Sequence, residues 1–163
     1  MSEIFVYRSE MPASAEAVYA WHALPDALQK LTPPWEHAQV VERTGGIDQP
    51  GSRVKLRVQV GPIRQIWTAE HTACEPGRMF RDVMVSGPFR HWEHTHLFLP
   101  EGENRSCLED RVEYEFPLGW FGKLVGGTYT RRRLRRMFEY RHRVTAEALA
   151  RSPELFFKKV PGG

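Results

Sequence analysis

Between Arg53 and Phe116 the chain keeps a two-residue rhythm, broken only by turns too short to hold a helix. Arg53 to Val60 alternates throughout and sets Val54, Leu56, Val58 and Val60 on one face. Gly61-Pro62 reverses the chain, and Ile63 to Thr72 reads as the return strand of a hairpin. Glu75-Pro-Gly, Ser86-Gly-Pro and the polar loop Pro100 to Arg105 then delimit three more runs, Arg78 to Val85, Phe89 to Leu99 and Ser106 to Phe116. Strands that follow one another without an intervening helix form an antiparallel meander.

The flanks have a different character. Ile4 to Arg8 reads as a first strand, rich in β-branched and aromatic residues. Ser14 is an acceptable N-cap for a helix from Ala15 to Trp21, and Pro25 to Leu31 forms a second short helix that Thr32-Pro33-Pro34 ends. Val40 to Arg43 starts the next strand, stopped at Gly45-Gly46. After Pro117-Leu-Gly, Phe121 to Arg151 contains no proline and supports a helix of about 30 residues, on the order of 45 Å long. Phe121, Leu124, Val125, Thr128, Leu134, Met137, Phe138, Val144, Thr145, Ala148 and Leu149 recur at spacings of three and four, which predicts a buried stripe. The expected organisation is one domain over residues 1–151 and a flexible tail over 152–163.

A chain of 163 residues suffices for one such core. No stretch approaches the roughly 18 apolar residues of a membrane helix, and Met1-Ser-Glu-Ile carries no leader pattern. With two cysteines, Cys74 and Cys107, no disulfide framework is expected, and the chain reads as cytoplasmic without integral membrane contact. Net charge is only +3, yet Arg131, Arg132, Arg133, Arg135, Arg136, Arg141 and Arg143 crowd one stretch. A solvated outer helix face accounts for Arg131, Arg132, Arg135 and Arg136. Tyr129 and Tyr140 make no convincing stacking platform, so no nucleic-acid partner is expected.

Strand, two short helices, six strands and a long helix make an uncommon order. Gly87-Pro88-Phe89 followed by Trp92, His94, His96 and Phe98 resembles the sixth strand of the START-like, or SRPBCC, superfamily. Leu108-Glu-Asp110-Arg-Val112-Glu-Tyr114 with Pro117 and Gly119 is similar to its seventh strand and exit, and Phe138-Glu-Tyr-Arg141 fits its long helix. The resemblance covers roughly residues 3–150. It implies an α+β helix-grip fold: a curved antiparallel seven-stranded sheet around a long C-terminal helix, with two short helices after strand 1. It also implies an internal cavity for a small apolar or amphipathic ligand, in the manner of polyketide cyclase/dehydrase-type domains. Such motifs specify fold better than function. Gly-x-Gly-x-x-Gly is absent, so the nucleotide-sugar-epimerase-like domain sometimes fused to this subgroup is not expected here.

Alternation alone predicts what faces inward. Arg90, Trp92, His94, His96 and Phe98 share one face, and Leu108, Asp110, Val112, Tyr114 and Phe116 share another whose opposite side is mostly charged. Opposed residues in a hairpin share a face, so Asp110 falls opposite His94 or His96, and Trp92 opposite Val112 or Tyr114. A buried carboxylate needs partners, and a hydrogen-bonded Asp110–His pair is expected in the pocket wall. The expected ligand-binding set is Trp67, Trp92, His94, His96, Phe98, Asp110, Val112, Tyr114, Phe138 and Arg141. Trp35 falls where the resemblance places a pocket rim.

Three roles for the cluster stay open: a structural polar network, an anchor for a ligand's polar end, or an acid–base pair. The function expected first is non-catalytic ligand binding. The alternative is a cyclase/dehydratase-type enzyme using His94 or His96 with Asp110. A third is an adaptor docking through the arginine run. His94-x-His96 with Asp110 has metal-ligand character, but no further ligand is evident and no metal or other cofactor is expected. His22, His37, His71, His91 and His142 show no ligand spacing, and the oligomeric state is left open.

Overall fold

The structure, a computed structural model, describes residues 2–60 and 62–151. The expected tail at 152–163 and Gly61 of the hairpin turn lie outside the described residues. The chain runs β1 (Glu3–Met11), α1 (Ala15–His22), α2 (Ala27–Leu31), β2 (Gln39–Arg43), β3 (Arg53–Val60), β4 (Ile63–Glu75), β5 (Met79–Ser86), β6 (His91–Pro100), β7 (Ser106–Glu115) and α3 (Gly119–Arg151). All seven strands join one antiparallel sheet in the order β1-β7-β6-β5-β4-β3-β2. This is the α+β helix-grip architecture. The two short helices carry the chain from one sheet edge to the other. Ser14 caps α1 by accepting a hydrogen bond from the Ala17 N–H at 3.2 Å.

In the β6–β7 hairpin, Phe98 opposes Leu108, His96 opposes Asp110, His94 opposes Val112 and Trp92 opposes Tyr114. These eight side chains are all buried. α3 packs across β1 and β7 and meets α1 and α2, with Leu134, Phe138, His142, Thr145 and Leu149 buried along its inner stripe. The core has two apolar clusters. One gathers Met11, Val18, Trp21, Phe80, Phe98, Leu108 and Leu149 beneath α1. The other gathers Phe5, Trp92, Val112, Tyr114, Phe116, Leu134 and Phe138. His94, His96, Asp110 and His142 interrupt the same strands and helix between these two clusters, so a polar belt crosses the core.

The expected α3 stripe holds from Leu134 onward and fails before it. Phe121, Leu124, Val125 and Thr128 are exposed, Leu124 and Val125 by about three quarters. The reason is the choice of contact face. Phe116 packs on the glycine side of the helix, where an added Cβ at Gly122 would lie 2.9 Å from Phe116 Cβ and one at Gly126 would lie 3.2 Å from its ring. Close approach through glycine turns the neighbouring apolar side chains outward. No helix among the described residues is long and apolar enough to cross a membrane. Cys74 and Cys107 are both free.

Candidate functional site

Asp110 lies at the centre of the belt. Its Oδ1 accepts a hydrogen bond from His94 Nε2 at 2.8 Å, and its Oδ2 accepts one from His142 Nε2 at 2.6 Å. His96 Nδ1 stands 2.7 Å from Oδ1, outside the alignment of a hydrogen bond. A second carboxylate, Asp82 of β5, faces His94 across the register; its Oδ2 is 3.5 Å from His96 Nε2 and 3.7 Å from His94 Nδ1. His142 continues the chain outward, because its Nδ1 lies 2.5 Å from the Ser9 hydroxyl of β1. With Nε2 donating to Asp110, Nδ1 is the atom that accepts a hydrogen bond from the Ser9 hydroxyl. His22 of α1 closes the far side, its ring 6.2 Å from that of His96 and its Nδ1 2.8 Å from the Val18 carbonyl.

Burial works against the Asp110 carboxylate, but the charge on His96 and the hydrogen bonds from His142 and His94 hold it well below the usual range. Asp82 is lowered in the same way, with burial overcome chiefly by His96. The two neighbouring imidazoles are pushed apart. Burial and then the charge of His96 lower His94, whereas Asp110 and Asp82 outweigh burial at His96 and raise it. His22, buried and facing His96, falls to about 3 and stays neutral. The belt therefore combines two carboxylates with neighbouring imidazoles, those of His94 and His96, whose pKa values are pushed in opposite directions.

The expected binding residues separate into groups. Phe98, Val112, Tyr114 and Phe138 are at most 1% exposed and touch no space that a water enters. Trp92 stacks edge-on against Trp67 with ring centroids 5.0 Å apart, and Trp67 is half-buried. Along β3 to β5, Leu56, Asp82 and Met84, which face inward with Trp67, are half-buried, whereas Val54, Ala69, His71 and Phe80 on the same face are buried. Arg141 does not bond Asp110. Its Nε donates to the Leu31 carbonyl at 3.2 Å and its guanidinium lies 5.6 Å from the Phe138 ring, so it ties α2 to α3. Burial lowers its pKa.

A cleft of about 430 Å³ opens between α3 and the α2–β2 connection, lined by Trp35, Glu36, His37, Gln59, Tyr129, Arg132, Arg133 and Arg136. Trp35, the expected rim residue, meets Tyr140 edge-on and carries Arg136 at 4.2 Å over its ring. Arg133 is half-buried: it pairs with Glu36 through both terminal oxygens and donates to the Gln59 carbonyl at 3.3 Å.

Sequence reasoning missed Asp82 and dismissed His142 and His22, all three of which join the belt. A signal existed for two. His142 falls four residues after Phe138 and three before Thr145 on the helix stripe, and Asp82 sits between Phe80 and Met84 on one face of β5.

Comparison with known proteins agrees with this architecture. The aromatase/cyclase Zhui from a Streptomyces species has a TM-score of 0.70 at 16% identity, covering 100% of this chain and 99% of that one. A norcoclaurine synthase point mutant from Thalictrum flavum, in complex with a transition-state analogue, gives 0.67 at 18% identity, covering 91% and 96%. A nucleoside-diphosphate sugar epimerase from Corynebacterium glutamicum gives 0.64 at 22% identity, covering 90% of this chain and 29% of that one. These likenesses establish the fold. No curated protein matches the sequence. The family described as polyketide cyclase / dehydrase and lipid transport matches residues 11–138, most of the chain. With the helix-grip sheet and the inward-facing residues of β6 and β7, that match establishes that the chain belongs to this family of the START-like, SRPBCC superfamily.

Proposed function

We propose that the chain binds a small apolar or amphipathic molecule between the β3–β5 half of the sheet and α3, with its polar end at the histidine–carboxylate belt. The observation that carries this reading is the half-burial of inward side chains, Leu56, Trp67, Asp82 and Met84, beside a belt whose other members are sealed. Apolar walls with a few convergent polar groups are the usual make-up of a small-molecule site. Membership of a family described as polyketide cyclase / dehydrase and lipid transport is consistent with such a ligand.

The test is native mass spectrometry of freshly purified chain, with titration of 1-anilinonaphthalene-8-sulfonate as an apolar anionic probe. Expected are a saturable single site, energy transfer from Trp67 and Trp92, and at least tenfold weaker binding in Trp67→Ala. Absence of both a co-purified small molecule and saturable probe binding would sink the reading.

A second reading, a cyclase/dehydratase-type enzyme, is favoured by one feature: Asp110 hydrogen-bonds His94 and contacts His96, and the other nitrogens of both rings face the half-buried Asp82. A positioned imidazole with a carboxylate behind it is the usual general acid–base arrangement. Replacing His96 by Gln distinguishes the two, since binding alone predicts altered affinity and catalysis predicts turnover lost with affinity kept.

A further inference from the structure

We infer that Asp82, His94 and His96 form a binding site for a divalent transition-metal ion. One ligand atom from each lies within 4.8 Å of the others, and Asp82 Oδ2 faces His94 Nδ1 and His96 Nε2. The separations of 3.5 and 3.7 Å from Asp82 Oδ2 are long for N–H···O hydrogen bonds, whose usual length is about 2.9–3.0 Å. They are close to the edges of a tetrahedron: metal–ligand bonds of about 2.0–2.2 Å place neighbouring ligands about 3.3–3.6 Å apart. A carboxylate and two imidazole nitrogens spaced in this way frame an ion-sized gap.

The outer shell supports the same conclusion. Metal-binding histidines commonly hold their second ring nitrogen on a carboxylate, which fixes tautomer and orientation. Asp110 does this for His94. His94 Nε2 donates to Oδ1, which leaves the neutral ring's Nδ1 as a bare lone pair facing Asp82. His96 Nδ1 contacts the same oxygen at 2.7 Å, with Nε2 turned to Asp82. His142 braces the other oxygen of Asp110. Across β4, His71 opposes Asp82 and is buried with Nδ1 making no hydrogen bond, a further imidazole beside the gap.

Two nitrogens and one carboxylate suit Zn²⁺, Fe²⁺ or Co²⁺, whereas Mg²⁺ and Ca²⁺ call for oxygen ligands. Three protein ligands leave one position open. Asp82, at 17% side-chain exposure, is the least buried of the three, so that position lies toward the half-filled space below β3 to β5. The inference stands on donor geometry and holds whether or not an organic ligand binds there.

The competing explanation is a simple Asp82–His96 ion pair with no metal. Chelator-stripped full-length chain is titrated with Zn²⁺ by calorimetry and with Co²⁺ by visible absorption. Histidine side-chain nitrogens are followed by NMR on the unmutated chain. Expected are one ion per chain, Co²⁺ ligand-field bands, and shifts at His94 and His96 but not at His37 or His91. Asp82→Asn is expected to lower affinity at least 100-fold, and Asp110→Asn about 10–100-fold through lost orientation. No stoichiometric uptake by the unmutated chain would overturn the site, as would His94 and His96 signals indifferent to Zn²⁺ or an Asp82→Asn chain that binds like wild type.

Discussion

Asp110 has the most demanding environment of any residue here: a carboxylate 2% exposed, with imidazoles on both oxygens. Burying such a group is favourable only while its partners remain, and breaking a buried charged pair costs about 3–5 kcal/mol. Asp110→Ala is therefore expected to lose stability of that order in urea unfolding, well beyond the effect of removing the exposed Glu10 carboxylate that pairs with Arg105. Equal, small losses for the two would mean the belt carries no net stability. The Asp110–histidine pairing was legible in the sequence, because strict alternation in β6 and β7 leaves one inward face and the hairpin sets Asp110 against His96. Asp82 was not. The β4–β5 ladder shifts register between Thr68 and Ala69 and again between His71 and Ala73, so parity counted along the sequence does not carry across it.

At the scale of elements, α3 changes its mode of contact along its length. From Leu134 to Leu149 it buries side chains; over its first turns it touches Phe116 through Gly122 and Gly126. Helix periodicity predicts a stripe but not which sector the sheet reaches, which is why Leu124 and Val125 read as buried and are exposed. Two substitutions distinguish the glycine contact from plain helix propensity. Gly127→Ala meets only Lys123 Cγ at 3.6 Å and is expected to stabilise by about 0.5–1 kcal/mol. Gly122→Ala gains the same propensity but forces Phe116 away, so its midpoint in chemical denaturation should fall below that of Gly127→Ala. The first turns are also fastened by Glu3, which pairs with Lys123 and lies 3.2 Å from Arg131. The Lys123 hydrogen bond, against a smaller effect of burial and with help from Arg131, lowers the Glu3 pKa. A depressed folded pKa gives stability that is present above the unfolded value, near 4.5, and is lost as pH falls through the folded one. Amide exchange over residues 119–131 should accelerate below about pH 4.5 relative to residues 134–149, and Glu3→Gln should remove that difference.

Across the whole molecule, the sheet has a filled half and a half that stands off its helix. On the filled side, Val112 and Phe138 are 0% exposed, and the aromatic cluster closes over them. On the other, Leu56, Trp67, Asp82 and Met84 face inward and keep contact with solvent. Order of elements and inward faces are enough to specify the helix-grip fold, but the stand-off depends on how α3 settles on β1 and β7, and residue periodicity contains no term for that. The asymmetry has a direct consequence for packing. Enlarging a side chain in a full interior forces neighbours off their rotamers at a cost of about 1–3 kcal/mol, so Val112→Phe should lower the denaturation midpoint by that order. Met84→Trp adds more volume, yet Met84 is only half-buried, and on the proposed reading the larger side chain enters the guest's space and buries its added apolar surface there. It should leave stability unchanged or raised while displacing the naphthalene probe, because the wall and the guest then compete for one volume. If Met84→Trp destabilises as much as Val112→Phe, both halves of the sheet are equally full and a guest has no place to enter.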